Sequence, residues 1–263
     1  MNKIEALIRK EWSEVFRNRV VVFAVAFLPL VLTAIPLALL FAVRDSQDGA
    51  NFSLGEFSAA FAETCGDLTI AECNQFILIT QFLPLFLMMP AIIPVTIAAY
   101  SIVGEKTTRT LEPLLATPIR TTELLIGKGL AAALPGIAAT WAAFLLFVIG
   151  ALLIGLQRKV VEMFFDPLWL AAIFVVGPLL AMASVSLAVM VSSRTNDPRV
   201  AEQIASLVVL PVAALLISQV TGVLLLNAVV IGWIALVLAV LDVGLLYIAG
   251  QLFQRETILT RWK

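Results

Sequence analysis

Few residues in this chain carry the chemistry of a reaction centre. Histidine is absent from the 263 residues, which removes the commonest metal ligand and the commonest general base near neutral pH. No G-x-x-x-x-G-K-[ST] run occurs, so the chain lacks the loop that cradles nucleotide phosphates. What remains is sparse. Asp242 is the only charge between Ile204 and Phe253, and Cys65 and Cys73 stand eight positions apart. A few hydroxyls and amides punctuate apolar runs: Thr80, Gln81 and Thr96 in one, Ser206, Ser218 and Gln219 in another.

The elements that hold these residues follow from composition. Hydrophobic residues make up 61% of the chain and charged ones 13%, about half the roughly 25% of a soluble domain. With a mean hydropathy of +1.04, a soluble fold could not put enough polar surface outside. Secreted, disordered and nucleic-acid-binding readings are excluded. Six apolar runs are long enough to span a bilayer: Val20–Val43, Phe76–Val103, Leu124–Leu156, Leu168–Ser192, Ile204–Leu226 and Ala228–Leu252. The last two are separate because a single helix from 204 to 253 would extend about 75 Å at 1.5 Å per residue, against a core of ~30 Å. A hairpin at Gly222–Asn227 divides them.

Basic residues set the orientation. With the N-terminus inside, fourteen Lys and Arg fall in cytoplasmic segments, and only Arg44, Arg158 and Lys159 fall outside. Both ends are then cytoplasmic, the membrane is the cell inner membrane, and the first run is a retained signal anchor. In this frame Asp242 is an intramembrane acid, costly enough to be a functional candidate. Its alternative is a neutral or hydrogen-bonded Asp packed against Ser or Thr of a neighbouring helix. The lack of a basic partner or second acid points to that structural role. Cys65 and Cys73 lie on the oxidising side, in an outer loop with six acids, and form either a short disulfide loop or two free thiols. The hydroxyls and amides line a pathway or glue helices together.

Two segments outside the runs carry more pattern. Residues 3–17 place Ile4, Leu7, Ile8, Trp12, Val15 and Phe16 on one helical face, with Glu11 as the misfit. The spacing predicts a helix lying in the interface plane with Trp12 at headgroup depth, either as an anchor or as a transmitter of force to the first span. Between the second and third runs, Leu111, Leu114 and Leu115 lie on a short helix that Pro118 terminates, among Glu105, Arg109, Glu112 and Arg120. These leucines either fill a groove on another protein or dip into the bilayer as a re-entrant turn.

Gly104-Glu105-Lys106, Thr110-Leu111-Glu112, Leu114-Leu115-Ala116-Thr117-Pro118, Glu123-Leu124-Leu125 and Gly127-Lys128 together resemble the signature of ABC type 2 permeases, the membrane subunits of type V ABC exporters. Arg9-Lys10-Glu11, Arg17-Asn18-Arg19 and Ser192-Ser193-Arg194 to Asp197-Pro198 are similar too. Thr108-Arg109 stands where members often carry a charged residue and Gly. The resemblance spans essentially the whole chain. It implies an all-α polytopic protein, one transmembrane domain over 1–263, with a connecting helix (1–19), an outer loop (44–75) and a cytoplasmic coupling segment (104–123). It further implies that Gly104, Glu105, Arg109, Leu111, Glu112, Leu114, Leu115 and Pro118 couple to an ABC ATPase subunit present in two copies. ATP and Mg would sit on that subunit and no cofactor on this chain. A second permease, identical or paralogous, would complete a pathway from the second and fifth spans. Two rival readings are an ion-coupled transporter or channel acting alone, and an ATPase-driven membrane anchor that transports nothing. The first wants repeated halves and paired intramembrane charges, which the sequence lacks.

Overall fold

The structure is a computed structural model and describes residues 3–43, 69–107, 121–156, 158–195, 197–224 and 226–252. Every regular element among them is helical. The helices are α1 (Lys3–Val15), α2 (Arg19–Val43), α3 (Ile70–Thr107), α4 (Thr121–Ile154), α5 (Arg158–Glu162), α6 (Pro167–Ala171), α7 (Gly177–Arg194), α8 (Pro198–Ala205), α9 (Val209–Val220) and α10 (Ala228–Leu252). Six spans result, because α6 and α7 join through a π turn at Ala172–Val176, and α8 and α9 through a 3₁₀ turn at Ser206–Val208. The expected hairpin is present. α9 ends at Val220, Gly222 adopts φ +70°, and α10 starts at Ala228, a conformation that glycine takes without a Cβ penalty.

α3 outruns its expected span at both ends, while α4 keeps about the expected length but starts three residues earlier. α3 is 38 residues and α4 is 34, about 57 and 51 Å at 1.5 Å per residue. Both exceed a ~30 Å hydrocarbon core, so their ends project beyond it. At one end α3 starts from a capping box, in which the Thr69 N–H donates to Glu72 at 2.8 Å and the Glu72 N–H returns to the Thr69 hydroxyl.

α3 and the fourth span form the centre of the bundle. In the span Gln75–Glu105, 67% of the most apolar window is buried, against 11% in α10, so α10 keeps an apolar surface that only lipid or another helix can cover. The centre is aromatic on one side: Phe86, Phe144, Phe147, Phe164 and Trp169 interlock, with Phe86 and Phe147 centroids 5.2 Å apart. Close approach of α3 to α4 depends on Gly136, where a Cβ would stand 2.6 Å from Pro94 Cγ.

Candidate functional site

Along α1, buried positions fall at Leu7, Glu11 and Val15, three successive turns of one face. Ile4 and Ile8 flank them half-buried, and Trp12 and Phe16 stay exposed. Glu11, the misfit of the sequence pattern, therefore points into the protein, and it is only 2% exposed. A buried carboxylate needs a counter-charge, and Lys128 supplies it from the second turn of α4 at 2.8 Å.

The pair belongs to a closed quartet. Lys128 also meets Glu105 at 2.7 Å, Glu105 meets Lys10 at 2.6 Å, and Lys10 returns to Glu11 at 3.5 Å. Two lysines and two glutamates sum to zero charge, the condition under which buried ions avoid an uncompensated desolvation cost. The Ser101 hydroxyl donates to Glu11 and accepts from Lys128 at 3.0 Å. Glu105 and Lys128 are 5% exposed, whereas the Lys10 side chain is 37% exposed and reaches Glu14 at 3.4 Å.

The electrostatics reinforce the charged forms. Burial works to raise the pKa of Glu11, but the charge and hydrogen bond of Lys128, with the Ser101 hydroxyl and Lys10 behind them, hold it below its usual value. Burial works to lower that of Lys10, and the hydrogen bond and charge of Glu105, then Glu11 and Glu14, raise it instead. Glu11 and Lys10 therefore stay ionised at neutral pH.

Three elements are joined by this quartet: α1 through Lys10 and Glu11, the last turns of α3 through Ser101 and Glu105, and the first turns of α4 through Lys128. Further contacts advance along α1 and α4 together. Lys3 lies 3.9 Å from Glu123, Leu7 occupies the space a Cβ on Gly127 would need, and the Trp12 indole donates to the Ala131 carbonyl at 2.9 Å. α1 thus runs alongside α4 in the same direction. Burying Glu11 in its quartet requires that face to meet α3 and α4, and the indole N–H is satisfied by protein.

Gly104 and Glu105 are placed at this junction, with nothing within 4 Å of a Cβ on Gly104. Arg109, Leu111, Glu112, Leu114, Leu115 and Pro118 lie outside the described residues. The candidate pathway residues mostly stitch helices. Gln81 Nε2 donates to the Gln219 carbonyl at 3.4 Å, Gln219 Nε2 to the Thr80 carbonyl at 3.3 Å, and the Leu226 N–H to Gln219 Oε1 at 3.1 Å. Thr96 donates to Glu202 at 2.7 Å, and the Ser206 hydroxyl to its own helix at Gln203. At Ser218 the backbone carbonyl accepts from the Leu224 N–H and from the Thr221 hydroxyl, both at 3.2 Å. Glu202 was missed because the expected fifth span began at Ile204. The signal was Asp197-Pro198: Asp197 accepts from the Arg199 N–H at 2.8 Å, and Pro198 opens α8 six residues earlier.

Asp242 is buried at 6% exposure in α10, which packs on α7, and neither carboxylate oxygen meets a hydrogen-bond partner among the described residues. The Ser or Thr partner expected for a structural Asp is not on either oxygen. Cys73 lies in the first turn of α3 and is not a free thiol, whereas Cys65 lies outside the described residues.

A family model described as ABC-2 family transporter protein matches residues 5–250, nearly the whole chain. No curated protein matches the chain closely enough to count as a relative.

Proposed function

The chain belongs to the ABC-2 transporter family, and from that premise we propose that it is the permease subunit of an ATP-driven exporter, moved by ATP hydrolysis on a separate ATPase chain. ATP and Mg belong to that partner, present in two copies. A second permease, the same chain or a paralogue, completes the assembly in the cell inner membrane, with both termini cytoplasmic. Cys65 and Cys73 bridge on the opposite side.

One observation carries the reading. The buried quartet ties α1 to the helix ends that flank residues 108–120 on either side, Glu105 before the segment and Lys128 after it. A force applied to 108–120 is then shared by three helices. Without such ties, two projecting helix ends would splay independently and dissipate the displacement. Leu111, Leu114 and Leu115 are the anchors that fill a groove on the ATPase, with Glu112 and Arg109 at the rim. Helices are stiff along their axes, so displacement at the junction is carried along α3 to Gln81, about 36 Å from Glu105 at 1.5 Å per residue. There Gln81 and Gln219 bind α3 to α9.

Leu114→Ser with Leu115→Ser tests the reading. The variant is expected to insert and fold, to lose co-purification with the ATPase subunit, and to abolish stimulated hydrolysis, since truncating a central apolar anchor costs about 2 kcal/mol or more. Unchanged ATPase binding and ATP-driven activity would make the segment a re-entrant turn and sink the coupling role.

A further inference from the structure

Basic residues at the α1 end of the bundle differ in their partners, and Arg9 is exposed along α1. Lys10 and Lys128 are neutralised inside the quartet, and Lys3 reaches Glu123. Arg17 and Arg19, in the corner between α1 and α2, are exposed and make no ion pair among the described residues. The apolar span of α2 is Val21–Ala42, so Arg17 and Arg19 precede it by four and two residues, where basic side chains meet the headgroups of a bilayer.

Directly along the helix from Arg19 runs an exposed stripe. Phe23, Phe27 and Leu30 follow at spacings of four, four and three, which keeps them on one line of an α-helix. All three are exposed, and the Phe23 and Phe27 rings stack with centroids 4.6 Å apart. From Arg19 to Leu30 is about 16 Å at 1.5 Å per residue, close to the ~15 Å depth of one leaflet's hydrocarbon. A pair of unpaired cations above an apolar strip one leaflet deep has the shape and charge order of a single phospholipid.

We propose that Arg17, Arg19 and the Phe23–Phe27–Leu30 stripe hold one anionic phospholipid, its phosphate on the two guanidinium groups and an acyl chain along the stacked rings. Guanidinium groups bind phosphate oxygens through paired N–H donors, and the uncompensated charge of two favours a headgroup with net negative charge over a zwitterionic one. The site needs no ATPase partner. It adjoins the corner where α1 passes into the first span, so a bound lipid would brace that corner.

The test uses the full chain reconstituted in equimolar phosphatidylglycerol and phosphatidylcholine, then repurified in detergent, with retained lipid measured by mass spectrometry. Wild-type protein is expected to retain phosphatidylglycerol preferentially. Arg17→Gln with Arg19→Gln should lose about fivefold of that preference for each arginine, while Arg17→Lys with Arg19→Lys keeps a preference. Phe23→Ala with Phe27→Ala should lower the total retained at this site, and Lys159→Gln, at the other end of the bundle, should change nothing. Equal retention of the two lipids by wild type, or a preference that survives the Gln pair, overturns the proposal. Release of the phosphatidylglycerol by excess inorganic phosphate would reduce the site to a phosphate contact and overturn the acyl-chain part. A second copy cross-linked through Phe23→Cys in place of lipid would overturn the whole. Because no arm reads ATP hydrolysis, a failure here is separable from a failure of the coupling reading.

Discussion

Trp12 and Ala131 meet through one hydrogen bond, indole N–H to backbone carbonyl at 2.9 Å, and Pro135 is the reason that carbonyl is free. In a helix the Ala131 carbonyl accepts from the N–H four residues on, and proline has none. The first helix thus satisfies a backbone group that α4 cannot satisfy itself.

A double-mutant cycle checks this relationship. Trp12→Phe is expected to cost about 1 kcal/mol by leaving the carbonyl unpaired. Pro135→Ala restores an N–H at 135 and makes the indole redundant, so Trp12→Phe should cost measurably less in that background. Unfolding in detergent reads both, and a coupling energy of zero would mean the hydrogen bond contributes nothing.

Breaking the quartet on one side should be expensive. Lys128→Met takes the nearest cation from Glu11, which keeps only the Ser101 hydroxyl and Lys10 at 3.5 Å. It also removes the partner of one oxygen of Glu105, and it is expected to cost about 3–5 kcal/mol. Glu11→Leu combined with Lys128→Met leaves the neutral pair Lys10–Glu105 and should recover at least half of that loss. Equal instability of single and double variants would show that packing, not charge balance, holds the junction.

The quartet also predicts where pH has no effect. The pKa of Glu11 is held below its usual 4.5, so its stabilisation is complete above 4.5 and fades as pH falls through the lowered value. That of Lys10 is raised above 10.5, so its contribution is complete below 10.5 and fades only as pH rises through the raised value. The gap in melting temperature between wild type and the Glu11→Leu, Lys128→Met variant should therefore stay constant from pH 6 to pH 9. A gap that narrows within that window would contradict a charged Glu11 and Lys10.

Asp242 is expected to be a stability cost, since a buried carboxyl with no hydrogen-bond partner among the described residues forfeits its hydration and gains nothing in return. Asp242→Leu should raise the melting temperature, and Asp242→Asn should leave stimulated ATP hydrolysis by the partner largely intact. A loss of more than about tenfold in that stimulation at unchanged expression would instead assign Asp242 to the transport step.

Some of this protein is legible in one dimension. The six spans follow from run length against bilayer thickness, and the hairpin at Gly222 from the length limit on a single helix. Both are local quantities. The amphipathic α1 was likewise visible, because an apolar stripe repeats every turn regardless of what it meets. The start of α8 was legible in Asp197-Pro198, yet it lay in a polar stretch that hydropathy reads as loop, so Glu202 stayed hidden with it.

Which side chains meet was settled only once the helices packed. Glu11 reads as an error in the pattern of α1 because its partner Lys128 is 117 residues away, and periodicity records the side of a helix without the identity of its neighbour. The same limit applies to Gln81 and Gln219, 138 residues apart, and to Trp12 and Ala131, where a proline's missing N–H becomes meaningful only once another helix is packed beside it. Composition and length set how many helices cross, since each helix answers to the bilayer alone. Their polar contacts were settled by packing, because a buried charge or amide is satisfied by whatever the neighbouring helix presents at that height.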